Sequence, residues 1–270
     1  MSACPSSPLL GTFSIAARDE EGGRLGVAVT SKAFSVGMLC PFACAGVGAV
    51  ATQSLVNPAL GPAILDLLAA DLGPEEALAA ALAQDPRPDL RQLNVVDAHG
   101  SSATFTGESC IPWCGGRRGP GYALAGNILV GEAVVEAMER AFVAGGGGDL
   151  AERRIAVLEA GQEAGGDARG KQSAALLIVD RTAVPYLRLQ VEDHAEPVTE
   201  LRRLYELAAE VDPDDGSTML DFMGGVAADA AWTWPVDDDE WQAEADQARA
   251  RLDAADAPGR RGAAGPSVGS

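Results

Sequence analysis

A threonine near the start of the chain has the surroundings that nucleophilic chemistry requires. Thr12 follows Gly11 and opens a run in which apolar residues alternate with small polar ones, the period of a β-strand. If the bond between Gly11 and Thr12 were cut, the freed α-amine of Thr12 would serve as general base for its own hydroxyl. A second strand-like run, residues 25–30, leads into Ser31 and Lys32, so a hydroxyl and a cation are expected beside Thr12. The alternative interpretation is an ordinary β-branched residue at the start of a strand.

The rest of the chain alternates between strand signals and paired helix signals. Helix starts are indicated at Asn57, Pro74, Gly131 and Asp149, each by a capping residue, a proline or a glycine. A long Gly/Pro loop is expected over residues 108–121. The predicted strands cover residues 12–19, 25–30, 45–54, 90–97, 103–107, 122–129, 173–179 and 186–191. This order predicts an α+β fold, a four-layer α-β-β-α sandwich of two antiparallel sheets. A single antiparallel sheet with helices on one face is the alternative.

Composition limits the partners of this chain. Its 270 residues hold 39 acidic and 20 basic side chains, so the formal net charge is −19. A field of that sign repels phosphate groups, and we expect neither nucleic acid nor an anionic membrane as a partner. No apolar run is long enough to span a bilayer, and five cysteines, an odd number, favour free thiols in a reducing cytoplasm. The expected partners are a small-molecule substrate and a second copy of the chain, as a homodimer.

Four segments differ in character along the sequence. Residues 1–11 lack the basic and long apolar parts of a secretory signal and are interpreted as a leader. Residues 12–195 hold the strands and helix pairs. Residues 196–256 are predicted to be an acidic helical extension with a Trp-Thr-Trp cluster at 232–234 and a charged helix over 237–254. Residues 257–270 are predicted to be disordered.

Several common site designs are excluded by residue counts. His99 and His194 are the only histidines, too few for a three-histidine zinc site. Each is expected at the surface rather than in a Ser-His-Asp triad. The pairs Cys40/Cys44 and Cys110/Cys114 could hold zinc, but their spacing is not that of a zinc knuckle. No metal and no cofactor is therefore predicted, and a metal- or thiol-dependent protein remains a third possibility.

Six stretches, in order, resemble a bacterial family catalogued as domain of unknown function 1028, which is grouped with the Ntn (N-terminal nucleophile) hydrolases. They are residues 12–19, 25–29, 45–53, 107–113, 126–127 and 171–177. The resemblance implies an Ntn-hydrolase-like fold over about residues 12–195, and it implies no known substrate. In that superfamily the first residue of the mature chain is the nucleophile and the reactions are mostly amide hydrolyses. The matching residue here is Thr12, which the leader would have to leave exposed.

The resulting hypothesis is an N-terminal threonine amidohydrolase acting on a small amide or peptide-like metabolite. Lys32 would favour the basic form of the Thr12 amine, and Asn127 would donate to the oxyanion. The residues expected to orient the amine or bind substrate are Ser31, Gln53, Gln172 and Ser173. Asp97 and Arg18 are weaker candidates. The alternative function is a non-catalytic small-molecule binding or interaction protein on the same fold.

Overall fold

The protein has a mixed α/β structure with two antiparallel sheets and six helices in its described part. The computed structural model describes residues 9–20, 22–145, 149–211, 216–228 and 246. Residues 1–8 of the predicted leader, the Trp-Thr-Trp cluster, nearly all of the charged helix and the predicted disordered tail lie outside these ranges. Across the ranges given, the helices are all too short or too polar to cross a bilayer.

The strands form one five-stranded and one six-stranded sheet. In chain order they are β1 Leu9–Leu10, β2 Thr12–Arg18, β3 Leu25–Ser31, β4 Pro41–Cys44, β5 Gly48–Leu55, β6 Arg91–Asp97, β7 Ser102–Thr106, β8 Gly115–Gly119, β9 Tyr122–Asn127, β10 Ser173–Val179 and β11 Pro185–Val191. The five-stranded sheet has the order β1-β5-β6-β7, and β4 also pairs with β5. The six-stranded sheet has the order β11-β10-β3-β2-β9-β8.

The helices are α1 Leu60–Ala69, α2 Pro74–Leu82, α3 Ala133–Ala144, α4 Leu150–Glu163, α5 Pro197–Ala208 and α6 Met219–Ala228. Asp149 caps α4 as its sequence predicts, because its side chain accepts hydrogen bonds from the N–H groups of Ala151 and Glu152. Helix α6 lies within the predicted acidic helical extension, although no individual helix was predicted over these residues. Strand β8 falls in the predicted 108–121 loop. A glycine- and arginine-rich strand has no apolar alternation, so its pairing with β9 is what defines it.

Alternation along β2 divides its side chains between two packed regions. Phe13, Ile15 and Ala17 are buried among residues of α3 and α4. Ala16 points the other way, into a cluster that includes Val27 of β3 together with residues of β5 and β6. A third cluster packs α1 and α2 against β5, β6 and β7. Thr12 and Ser14 share the face of Ala16, because side chains two residues apart on a strand point the same way.

Both sheets belong to one compact unit. Helix α5, at the start of the predicted extension, packs against α4, β10 and β11. Leu201 and Val198 of α5 are buried in the same apolar cluster as Phe13. Helix α6 packs against β11.

Candidate functional site

Strand register brings four of the predicted site residues into one row. Ser173 of β10 lies opposite Ser31 of β3, which lies opposite Thr12 of β2, which lies opposite Asn127 of β9. Directly opposed residues present their side chains to the same face of a sheet. All four are buried, with at most 1% of each residue exposed. The row therefore collects three hydroxyls and an amide from parts of the chain that are far apart in sequence.

A chain of hydrogen bonds connects the Thr12 hydroxyl to the peptide bond that precedes it. Thr12 Oγ1 donates to Ser31 Oγ at 3.1 Å, and Ser31 Oγ donates to the carbonyl oxygen of Gly11 at 2.6 Å. Arg169 Nη2 donates to the same carbonyl oxygen at 3.1 Å. The Gly11 carbonyl thus accepts one hydrogen bond from a neutral hydroxyl and one from a cation, an arrangement that favours negative charge on that oxygen.

A carboxylate holds Arg169 in this position. Asp167 accepts from Arg169 Nε at 3.1 Å and from Arg169 Nη2 at 2.8 Å, a bidentate pair. It also accepts from the backbone N–H groups of Arg169, at 2.8 Å, and Lys32, at 3.4 Å. Sequence reasoning missed both Asp167 and Arg169, because they lie in a polar loop whose composition resembles that of many solvated loops. The only local sign of this ion pair in the sequence is an Asp two residues before an Arg, which is a weak indication.

Gly11 is the point where the chain passes from one sheet to the other. The two residues before it pair with β5, Leu9 opposite Leu55 and Leu10 opposite Ser54, whereas Thr12 already belongs to the six-stranded sheet. A Cβ atom on Gly11 would lie 2.3 Å from Arg169 Nη2 and 2.7 Å from Asp167 Oδ2. Contacts that short do not occur for real side chains, so glycine is required at this position unless the Asp167–Arg169 pair moves.

A buried amide network lies behind the row and links the two sheets. Asn127 Nδ2 donates to Gln92 Oε1 at 2.9 Å, and Gln53 Nε2 donates to the same oxygen at 2.7 Å. Ser14 Oγ donates to Gln53 Oε1 at 2.6 Å. Asn127 Oδ1 is buried and has no hydrogen-bond partner within the described ranges. Gln92 was missed by sequence reasoning, because a glutamine inside a strand is indistinguishable from an ordinary edge residue until its neighbours are known.

The remaining predicted site residues differ in how they are placed. Both ends of the Gln53 amide are committed to protein partners, so its contact with a substrate stays a prediction. Ser173 Oγ donates to Ala33 O at 2.6 Å and accepts from Val36 N–H at 3.1 Å, which ties a neighbouring loop to the sheet. Gln172 lies at the surface and donates to Asp193 at 3.0 Å.

Lys32 has an exposed side chain, and its position in the structure is defined by its backbone bond to Asp167. The two weaker candidates have local roles. Asp97 accepts from the N–H groups of His99 and Ser101, both at 2.8 Å, and so closes the β6–β7 turn. Arg18 donates to Ala98 O at 2.7 Å in the same region.

In the described part of the chain, no group of three or more His, Cys, Asp or Glu side chains is placed to hold a metal ion. Cys40, Cys44, Cys110 and Cys114 are free thiols. Burial raises the pKa of the Cys40, Cys110 and Cys114 thiols, the opposite of what a thiolate ligand requires. Both histidines are exposed, as expected from the sequence.

Thr12 is fully buried. Three clefts of about 830, 600 and 490 Å³ lie beside α2, β7 and α1, and Thr12 lines none of these three. Their walls hold no row of hydroxyl and amide groups comparable to that at Thr12. A small molecule would reach the Thr12 hydroxyl only after part of the chain around it had moved away.

Comparison with known proteins adds a family and similarity to solved structures. The model of the family described as "Family of unknown function (DUF1028)" matches residues 12–201, well over half of the chain. The crystal structure of protein SPO2555 from Silicibacter pomeroyi, itself a DUF1028 protein, is 31% identical and has a TM-score of 0.70, with 76% of this chain and 92% of that chain covered. Anbu (ancestral beta-subunit) from Yersinia bercovieri is 15% identical with a TM-score of 0.35, with 72% and 93% covered, a likeness too low to carry an argument. No curated protein matches the chain.

Proposed function

The chain belongs to the DUF1028 family of unknown function, and on that premise we propose that it is an amide hydrolase whose nucleophile is Thr12, exposed by removal of residues 1–11. The observation that carries the proposal is the environment of the Gly11–Thr12 bond. Its carbonyl oxygen accepts from Ser31 and Arg169, and the Thr12 hydroxyl donates into the same chain of hydrogen bonds. The family match begins at Thr12, which supports this residue as the start of the active chain.

Removal of the leader would proceed by an N→O acyl shift. Thr12 Oγ1 attacks the carbonyl carbon of Gly11 and gives its proton to Ser31 Oγ, which passes its own proton to the carbonyl oxygen. The C–N bond of this tetrahedral intermediate then breaks, and the proton on the former carbonyl oxygen is transferred to the Thr12 nitrogen, which becomes an amine. The leader remains on Thr12 Oγ1 as an ester. Water hydrolyses the ester, releasing Gly11 as a carboxylic acid. Arg169 stabilises negative charge that develops on the oxygen.

Turnover would repeat these steps on a substrate. The freed amine takes the proton of Thr12 Oγ1, the oxygen attacks the amide carbonyl, and the leaving amine departs with that proton. Water then cleaves the acyl ester. Ser31 orients the amine, and Lys32 favours its neutral form by like-charge repulsion. Asn127 donates to the oxyanion through its second amide hydrogen, since Gln92 accepts only one of the two.

The proposal extends to the architecture, a four-layer α-β-β-α sandwich of the Ntn-hydrolase type. Three apolar clusters support it: one between α3/α4 and the six-stranded sheet, one between strands of the two sheets, and one between α1/α2 and the five-stranded sheet. In such an arrangement Thr12 would lie at the start of β2, on the face turned toward the second sheet. The polar contacts of Ser14 with Gln53 of β5 fit that position.

The proposal is tested by intact mass and N-terminal sequence of the purified full-length protein. A chain that begins at Thr12, together with an uncut Thr12→Ala variant, is the expected result. A library of small amides would then be screened, with the Thr12→Ala protein as the inactive control. Thr12→Ser, which keeps a hydroxyl, is the matched variant and is expected to retain part of both activities. A wild-type chain that keeps residues 1–11 for days would leave the non-catalytic binding protein as the better interpretation.

A further inference from the structure

The segment before Thr12 identifies the kind of substrate that the site would accept. We propose that the space occupied by residues 9–11 is the acyl side of the substrate site, and that it takes an extended peptide whose last acyl residue is glycine. This inference rests on the proposed function, because it uses the same nucleophile. It adds a substrate class and assigns the Asp167–Arg169 pair a part in specificity.

The first argument is the identity of the intermediate. Self-cleavage leaves the leader on Thr12 Oγ1 as an ester of Gly11. A substrate with the acyl sequence Leu-Leu-Gly would form the same ester after its leaving amine had departed. The two reactions therefore share the acyl-enzyme and the water-dependent step that removes it. A site shaped for the leader ester is, for that reason, shaped for a glycyl acyl group.

The second argument is steric. The Asp167–Arg169 pair lies against the Gly11 position, with a Cβ there 2.3 Å from the guanidinium and 2.7 Å from the carboxylate. Arg169 alone could swing away, since part of its side chain is exposed. Asp167 is short and 5% exposed, and it is held by the backbone N–H groups of Arg169 and Lys32. A side chain on the acyl residue would have to displace this held carboxylate.

The third argument is the strand edge that the leader covers. Leu55 and Ser54 of β5 pair with β1 on one edge, and Ser54 pairs with Arg91 of β6 on the other. Departure of residues 1–11 would leave backbone donors and acceptors of β5 open at that edge. An extended peptide can replace β1 by strand addition, which binds backbone without requiring particular side chains. Arg91 bonds to the carbonyl of Leu55 and is itself paired with Asp85, so this edge is held rigid.

The test uses protein that was produced with all 270 residues and has since removed its own leader. Intact mass confirms that the chain begins at Thr12. Aminomethylcoumarin amides of acetyl-Leu-Leu-Gly, acetyl-Leu-Leu-Ala and acetyl-Gly are compared by kcat/KM. We expect the glycyl tripeptide to exceed the alanyl one at least tenfold, and acetyl-Gly to lose activity mainly through a higher KM. In cis, Gly11→Ala is expected to slow leader removal by a similar factor, since the same ester and the same contacts are involved.

Each other result counts against one proposal or both. Equal rates for the glycyl and alanyl peptides would overturn the glycine requirement and leave the hydrolase intact. Inert peptides, combined with Thr12-dependent cleavage of a different amide, would overturn this substrate class and again leave the hydrolase. A chain that keeps its leader and shows no Thr12-dependent hydrolysis would overturn the proposed function, and this inference with it.

Discussion

The Ser31 hydroxyl is the most direct place to test the self-cleavage geometry. It accepts from Thr12 Oγ1 at 3.1 Å and donates to the Gly11 carbonyl at 2.6 Å, so a single atom is the acceptor for the nucleophile and a donor to the carbonyl. Ser31→Ala removes both contacts and keeps the strand, because alanine fits a buried position of similar size. Arg169 remains as a donor to the carbonyl in this variant.

The size of the effect follows from the loss of one donor to a developing oxyanion. Such a loss costs about 10²–10³ in rate, or about 2.7–4 kcal/mol in activation free energy. The loss of the proton acceptor for Thr12 adds to this, so a 100-fold slowing is the lower bound of the expectation. Stability should fall by no more than about 1–3 kcal/mol, the cost of leaving a buried hydrogen-bonding group without its partner.

The assay follows leader removal after cell-free synthesis, by intact mass at successive times. The matched control is Thr30→Val, which removes a buried hydroxyl from the neighbouring position of β3, where Thr30 Oγ1 donates to Ser173 O at 2.9 Å. Hydroxylamine should release the leader as a hydroxamate from wild type, because it attacks the ester. Ser31→Ala cleaving within threefold of wild type would refute the reasoning, as would Thr30→Val slowing cleavage by as much as Ser31→Ala.

Three further predictions concern stability and reactivity. Asp85→Asn should cost about 3–5 kcal/mol in urea unfolding at pH 7, because it leaves Arg91 buried without its carboxylate. Burial alone would raise the pKa of Asp85, but hydrogen bonds from Arg91 and Asn57 outweigh it and lower that pKa. The difference in unfolding free energy between wild type and Asp85→Asn should therefore be full above about pH 4 and shrink as the pH falls further. A difference that does not change with pH would contradict this. Gln92→Leu should cost about 2–6 kcal/mol, since two buried donors lose their common acceptor at about 1–3 kcal/mol each, and an unchanged urea midpoint would contradict it. Iodoacetamide at neutral pH should alkylate exposed Cys44 well before Cys40, as read by peptide mapping, and equal rates would contradict the burial of Cys40.

Local sequence was sufficient for most of the secondary structure. Alternation over residues 12–18 identifies β2, and the structure adds only that its apolar face is buried against α3 and α4. Asp149 predicts the start of α4 because a capping side chain acts on N–H groups two and three residues away. The elements that were not predicted individually include β1, β8 and α6. Each has a weak local pattern and is paired or packed against another element, β1 against β5, β8 against β9 and α6 against β11.

The candidate site likewise has features that the sequence predicts and features that only the tertiary structure decides. The types of Thr12, Ser31 and Asn127, and their places at the ends of predicted strands, could be interpreted from the sequence alone, since strand ends follow from local patterning. That these three share one row was decided by strand register, which places Asn127 beside Thr12 although the two are more than 100 residues apart. The contact between Arg169 and the Gly11 carbonyl spans 158 residues and comes from a loop with no periodic signal. Side-chain chemistry is local to the sequence, whereas proximity depends on how the sheets pair, and only the tertiary structure specifies that.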